Sequence, residues 1–555
     1  MTVPRMRLTG RVGWLARFIL ITVVLVEIPY IIAFSQIGQG WVFAGMIWSP
    51  HDFAQYASAM RQGAASSDWL IYDRLSHEPH DPAFISVFYV ALGKLAALTG
   101  LEFSLAFHAA EIACRVMLLL ALYHVTSLLY QEPRRRRLAL ALIAFTSGFG
   151  ALMLVIGISL RLPLEWSIFT AEDLSVPELN TFLVLFTAPH LMLGLAAIMV
   201  WAVGYCRALC QTGVRWLGLI GLATIIVGLT NPFSLVSMLC IAFAHTGLGW
   251  IVSRRITWSS VITLSAVALS AGPFLAYNVL VFGRDPFWGA TYGAQNALIS
   301  APPVELALSY GGLLILTVIG AQLLLRDRSE GARLIVVWIV LITLLMYAPV
   351  SFQRRFGFGL QPILALAASF GLQLVIARIW AATGGVLTWR WRFVRSSTVL
   401  ALTGTTFTVY VLMFRAAAIP VEGTHVSSAF HPLSVRDAAS WLAPRTQSTD
   451  LVLAETHTSN YLSGWLPGRV YSAHWVATAD FREKSDMTRW FYSTRDDAAR
   501  HDFLEQLGAR YVVYGPRERA LGGAPLNQLN LRPVYESPEM TVYERAGELQ
   551  ARAQK

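Results

Sequence analysis

The sequence predicts a polytopic α-helical membrane protein with about eleven spanning helices, followed by a small soluble α/β domain at the C-terminus. Three observations predict it. Charged residues make up only 14% of the 555 residues, against about 25% in a soluble domain. Hydrophobic residues make up 55% and come in long blocks such as Trp216 to Val252, and a block of about 20 apolar residues matches the hydrocarbon thickness of a bilayer. The third observation is a change of character after residue 420, where short strand-like and helix-like runs replace the apolar blocks. Lipid offers no partners to backbone N–H and C=O groups, so the apolar blocks must be helices.

In chain order the spans fall near residues 18–36, 103–130, 138–160, 181–205, 216–230, 232–252, 258–282, 304–325, 332–350, 358–378 and 398–417. The first run is too long and too poorly terminated for a cleaved signal peptide, and reads as an anchor. The fifth and sixth spans turn at Asn231-Pro232, where proline stops one helix and starts the next. The apolar segment 83–99 is read as a juxtamembrane or re-entrant helix. If it spanned, the run Arg134 to Arg137 would face outward, against the positive-inside rule.

With these spans, 19 arginines fall in cytoplasmic segments, among them Arg134 to Arg137, Arg254, Arg255, Arg326 and Arg328. Seven basic residues fall in outer loops: Arg61, Arg74, Lys94, Arg161, Arg284, Arg354 and Arg355. The asymmetry predicts a multi-pass protein of the cytoplasmic (inner) membrane, with a cytoplasmic N-terminus and an extracytoplasmic C-terminal domain. The net charge of +10 therefore reports topology. A nucleic-acid binder would gather such charge on a soluble domain, so no nucleic-acid partner is expected. The four cysteines, Cys114, Cys206, Cys210 and Cys240, lie in or beside apolar helices and have no zinc or disulfide spacing. Cys206 and Cys210 are one helical turn apart, which fits packing.

The domain boundaries are 1–420 for the membrane domain, with a long first outer loop at 37–102, and 421–555 for the tail. In the tail, strands are expected at 450–454, 469–473, 510–514 and 540–543, with helices at 434–442 and 496–507. Alternation of this kind points to a small α/β domain.

The outer loops hold most of the unusual polar residues. The first loop reads Trp48-Ser-Pro-His-Asp52-Phe-Ala-Gln-Tyr56 and later His77-Glu78-Pro79-His80-Asp81-Pro82. The second is acidic, with Glu165, Glu172, Asp173 and Glu178, and a later turn carries Gln353-Arg354-Arg355. Asp52 has two readings, a catalytic base or the N-cap of a helix beginning near Phe53. Glu78, His80 and Asp81 read as substrate contacts or as a solvated loop. Arg354 and Arg355 read as a phosphate clamp or as anchors to lipid head groups, and Glu172 and Asp173 as a solvated acidic loop or metal ligands. His190 reads as a packed histidine a few turns into its helix or as a substrate ligand. His108, Glu111 and Arg115 share one helix face, with Glu111 and Arg115 read as a structural pair. In the tail, Trp465 and His474-Trp475 are read as core rather than as sugar-stacking aromatics.

The hydropathy layout from residue 1 to about 417 resembles the GT-C glycosyltransferases, which use polyprenyl-phosphate sugars. The likeness to the protein mannosyltransferases and aminoarabinose transferases is sharpest over Trp48 to Arg115, where an aspartate lies in a long first outer loop and a small helix precedes the second span. The resemblance implies that Asp52 is the catalytic aspartate. It implies as partners a polyprenyl-phosphate-linked sugar donor, membrane lipids and a glycan, lipid or protein acceptor. Phe53 follows Asp52 where such members often have glutamate, and neither a Trp-Trp-Asp motif nor an outer-loop Asp-X-Asp is present. No cofactor is expected, and a divalent metal has no clear motif.

The expected chemistry is an inverting transfer on the outer face. A carboxylate takes the proton of an acceptor hydroxyl, and arginines stabilise the lipid phosphate as it leaves. The rivals are a lipid or polysaccharide flippase and a noncatalytic envelope assembly protein. A flippase needs charge at depth, and here only Glu27, Glu111 and Arg115 lie there.

Overall fold

A computed structural model describes residues 9–37, 40–163, 172–211, 213–295, 297–382, 389–420 and 429–545. Of the acidic second loop, Glu165 lies outside the described residues. The chain folds into two compact units, each discontinuous in sequence. One comprises residues 1–28, 109–278 and 296–413; the other comprises 29–108, 279–295 and 414–555.

Helices occupy all eleven expected spans. They are α1 (Thr9–Ser35), α4 (Phe103–Val125), α5 with α6 (Pro133–Phe145, Gly150–Ser159), α7 (Pro189–Cys210), α8 (Val214–Thr230), α9 (Phe233–Ser253), α10 (Trp258–Arg284), α12 (Pro303–Arg326), α13 (Glu330–Leu345), α14 (Leu360–Ala382) and α15 (Trp389–Ala418). Among the described residues, nine helical segments are long and apolar enough to cross a membrane. The two others, α8 and α13, have 17 and 16 residues, at and just below the shortest helices that span, about 17 residues. The protein is a multi-pass membrane protein.

Two expected spans differ in detail. The third is broken between α5 and α6. There Asp173 is fully buried and accepts hydrogen bonds from the Gly148 and Gly150 N–H groups at 2.9 and 3.3 Å and from Ser147 Oγ at 3.1 Å. Side-chain acceptors replace the helical partners lost at the break. The fourth starts at Pro189 rather than at 181, because proline suits the first turn of a helix and not its interior. Arg115 forms an ion pair with Glu27, lies 3.5 Å from Glu111 and donates from Nε to the Leu185 carbonyl at 2.7 Å. The three charges expected at depth thus form one cluster, as buried charges require.

In the other unit, the first loop carries α2 (Phe53–Ala65) and α3 (Val87–Thr99). With 13 residues, α3 is about 20 Å long, too short for a hydrocarbon core of about 30 Å. It packs on α2 so closely that a Cβ at Gly93 would sit 1.9 Å from the Met60 carbonyl oxygen. A short helix, α11 (Pro286–Gln295), also belongs here.

The tail is a small α/β domain. Its sheet has the order β4-β3-β5-β7-β6, with β3 (Leu451–Leu453), β4 (Arg469–Val470), β5 (Tyr511–Tyr514), β6 (Leu531–Glu536) and β7 (Thr541–Arg545). β3 pairs parallel with β4 and β5, and β7 pairs antiparallel with β5 and β6. The longer helices are α16 (Leu433–Leu442), α17 (Thr456–Trp465), α18 (Phe481–Ser493) and α19 (Asp497–Leu507), and a single-turn helix spans Pro516–Ala520. The four expected strands and two expected helices are present; β6, α17 and α18 add to them.

The first loop and the tail share one core. β1 (Trp41–Phe43) pairs antiparallel with β2 (Phe430–Pro432). Val42 and Leu75 from the loop pack with Leu442, Leu462 and Val513 from the tail. Thr478 Oγ1 donates to the Leu75 carbonyl at 2.6 Å, and the Val470 N–H donates to the Arg74 carbonyl at 3.1 Å.

Candidate active site

Asp52 ends a short 3-10 turn, Pro50–Asp52, and precedes α2. The turn is entered through Ser49 with φ of 48°, a left-handed conformation that non-glycine residues adopt at some cost. This geometry aims Ser49 Oγ at Asp52 Oδ2, 2.8 Å away. The Asp52 side chain makes no cap hydrogen bond to α2. Its other oxygen, Oδ1, lies 3.0 Å from Nε2 of His474. The carboxylate is thus held by two side chains rather than spent on the helix N-terminus, and 32% of the side chain stays accessible.

His474 comes from the turn after β4. Thr478 Oγ1 accepts hydrogen bonds from the Ala473 and His474 N–H groups, both at 3.1 Å, and fixes that turn. α17 packs on α2 through Gly464, where a Cβ would stand 3.3 Å from Ala54 Cα. Asn460 on α17 donates to the His51 carbonyl at 3.2 Å. Burial pushes the Asp52 carboxyl up. The His474 and Ser49 hydrogen bonds, with His51 nearby, outweigh it and hold the group below its ordinary value. A hydrogen bond to the charged form favours that form.

The other first-loop candidates are engaged locally. Glu78 pairs with Lys484 of α18 and accepts from Ser76 Oγ. Burial pushes Glu78 up, but these contacts carry it below its ordinary value. His80 has both ring nitrogens in use. Nε2 accepts from the Asp73 N–H at 2.9 Å and Nδ1 lies 2.8 Å from the Glu78 carbonyl, while the ring stacks on Phe287 at 4.0 Å. Asp81 is exposed, and its backbone carbonyl accepts from Trp288 Nε1 at 2.8 Å. Asp73, whose N–H reaches His80, is buried, and its carboxyl is pushed up to about 7 by that burial.

Arg354, Arg355 and His190 belong to the other unit. The arginines lie in the 3-10 turn Gln353–Gly357. Arg355 Nη1 pairs with Glu178 at 3.1 Å, and that glutamate is 6% exposed. Arg354 has Glu172 as its electrostatic neighbour; burial pushes the Glu172 carboxyl up and Arg354 draws it back only in part. His190 stands in the first turn of α7, half-buried, rather than a few turns in. Among the described residues, no group of three or more His, Cys, Asp or Glu side chains is arranged to hold a metal ion.

Sequence reasoning assigned His474 and its neighbours to a core. His474 is buried, but as a hydrogen-bond partner of Asp52, and Trp475 is 61% exposed. Trp465 does pack against the core. No spacing in the sequence links a lone histidine of the tail to the first loop.

No protein-family model matches the chain, and no curated protein matches it in sequence. Solved structures do match. The oligosaccharyltransferase of Archaeoglobus fulgidus in the apo form gives a TM-score of 0.54 at 12% identity, covering 96% of this chain and 74% of that one. ArnT from Cupriavidus metallidurans, bound to undecaprenyl phosphate, gives 0.50 at 14% identity, covering 97% and 99%. The mycobacterial arabinofuranosyltransferase AftD gives 0.51 at 15% identity, covering 96% of this chain and 41% of that larger one. The chain has the fold of the GT-C glycosyltransferases. Fold alone does not carry an activity, which has to be argued from the site.

Proposed function

We propose that this protein is a membrane glycosyltransferase that moves a sugar from a polyprenyl-phosphate donor to an envelope acceptor on the outer face of the membrane, with Asp52 as general base. The observation that carries this reading is the state of the Asp52 carboxylate: held by Ser49 and His474, partly accessible and not used as a helix cap. An ionised carboxylate has about four lone-pair sites. The two contacts leave room for an acceptor hydroxyl.

In the reaction the acceptor oxygen attacks the anomeric carbon while its proton passes to Asp52. The bond from that carbon to the phosphate oxygen breaks, and the electron pair leaves with the lipid phosphate. Attack opposite the leaving group inverts the configuration. Arg354 is the proposed ligand of the donor's phosphate, because Arg355 already has Glu178. Arginine suits a developing phosphate charge at a membrane surface. ArnT, which shares the fold, binds undecaprenyl phosphate, and this supports a donor of that class.

The experiment is transfer by the purified full-length protein from a panel of labelled undecaprenyl-phosphate sugars, with envelope fractions of the source organism as acceptor. Transfer by the native protein and none by Asp52→Asn is expected. Undiminished transfer by a folded Asp52→Asn protein removes Asp52 from the role.

A further inference from the structure

The turn after β4 is built tightly around His474. Its own N–H goes to Thr478 Oγ1, and its carbonyl accepts from the Ala477 and Thr478 N–H groups at 3.2 and 2.9 Å. The side chain is fully buried. Buried imidazole nitrogens need partners, and here each has one. Nδ1 lies 3.4 Å from the Val476 backbone nitrogen, while Nε2 of Gln55 lies 3.0 Å from Nδ1 and 3.4 Å from Nε2, against the ring and not on one nitrogen. A backbone N–H can only donate, so Nδ1 is the acceptor and Nε2 carries the proton. The Nε2–H points at Asp52 Oδ1, 3.0 Å away. Gln55, in the first turn of α2, packs its amide against the same ring that meets Asp52 just before that helix.

We propose that His474 is a positioning residue for Asp52: the Val476 N–H sets its imidazole as the Nε2–H tautomer, which donates to Oδ1 and holds the carboxylate oriented toward an acceptor. The tail domain thereby completes the active site carried by the first loop. The proposal deepens the transferase reading and rests on it for its catalytic consequence, whereas the hydrogen bond itself is testable without substrate. The titratable groups facing Asp52 are His51 on its own turn and His474. His457 of α17 stands behind His51, with ring centroids 5.3 Å apart.

The test is a pH titration of the full-length protein followed by infrared difference spectroscopy, with the Asp52 carboxyl C=O band assigned by its loss in Asp52→Asn. His474→Met, of similar volume but without a donor, is expected to move the midpoint of that band up by roughly one pH unit. His474→Gln restores an N–H near the Nε2 position and is expected to return the midpoint toward the native value. The acid limb of kcat/KM for sugar transfer should move with it. A native midpoint in folded His474→Met overturns the proposal, and so does a shift that His474→Gln reproduces in full. If His474→Met does not fold, His474→Leu takes its place. It likewise removes the donor to Oδ1 and should give an upward shift of similar size, and no shift there overturns the proposal. Transfer that survives Asp52→Asn would remove the base assignment while leaving the infrared result intact, so the two failures are distinguishable.

Discussion

His474 Nε2 stands 3.0 Å from Asp52 Oδ1, although 422 residues separate the two in the chain. The contact is held by hydrogen bonds at both ends. Asp52 is set by the left-handed Ser49 and the 3-10 turn, and His474 by Thr478 and the packing of α17 on α2. A carboxylate so held needs little reorganisation before accepting a proton, which is the condition for effective general-base catalysis.

Asp52→Asn should lower transfer by at least about a hundredfold and change thermal stability little. Asparagine still accepts from His474 and donates to Ser49, and the aspartate side chain makes no cap hydrogen bond that would be lost. Transfer rates and melting curves of the purified variant measure both. A large drop in melting temperature would recast Asp52 as structural.

The pH profile has a definite sign. Asp52 is held below its ordinary value, so its contribution to stability is complete above the unfolded value of about 3.9 and is lost as pH falls through the lower folded value. A base must be ionised, so the acid limb due to Asp52 should lie below about pH 4. A limb near pH 7 that tracks Asp73, whose carboxyl is pushed up to about 7, would move the role there. Measuring kcat/KM against pH for the native protein and Asp73→Asn separates the two.

Arg354 and Arg355 should behave differently. Arg355→Ala leaves the nearly buried Glu178 without its partner and should destabilise the protein by roughly 1–3 kcal/mol. Arg354→Ala should weaken donor binding about tenfold or more, the loss of one charge-assisted bond, with little change in stability. Binding of undecaprenyl phosphate to each variant, alongside its melting temperature, checks the split. Equal donor affinity for native and Arg354→Ala protein excludes Arg354 as the phosphate ligand.

Lys484→Met should lower stability by roughly 1–3 kcal/mol because it strands Glu78 at a mostly buried site. The double variant Lys484→Met with Glu78→Gln should recover part of that loss. If Glu78 instead touches substrate, Glu78→Gln alone will raise KM without lowering the melting temperature.

A cysteine placed at the exposed Glu536, after replacement of the exposed native Cys210, should react with a membrane-impermeant maleimide in intact cells. Labelling only after permeabilisation would put the tail inside and reverse the topology drawn from the arginines.

The membrane class was legible in the sequence because an apolar block of about 20 residues has one low-energy state in lipid, a helix. Every expected span holds a helix for that reason, the third in two pieces. The tail's strands at 451–453, 469–470, 511–514 and 541–545 were legible as short β-branched and aromatic runs between turn residues. Asp52 stood out as an acid just past an apolar span. The start of α7 at Pro189 was there to be read in the proline, whereas the break after Phe145 depends on a partner from another segment, Asp173, for the Gly148 and Gly150 N–H groups. Only the tertiary structure decided that the Asp52 side chain turns from its helix to His474, that Glu78 is neutralised by Lys484 and that Arg355 has Glu178. The physical reason is that a carboxylate or guanidinium takes its state from neighbours within about 4 Å, and those neighbours come from segments whose spacing in sequence carries no trace of the contact.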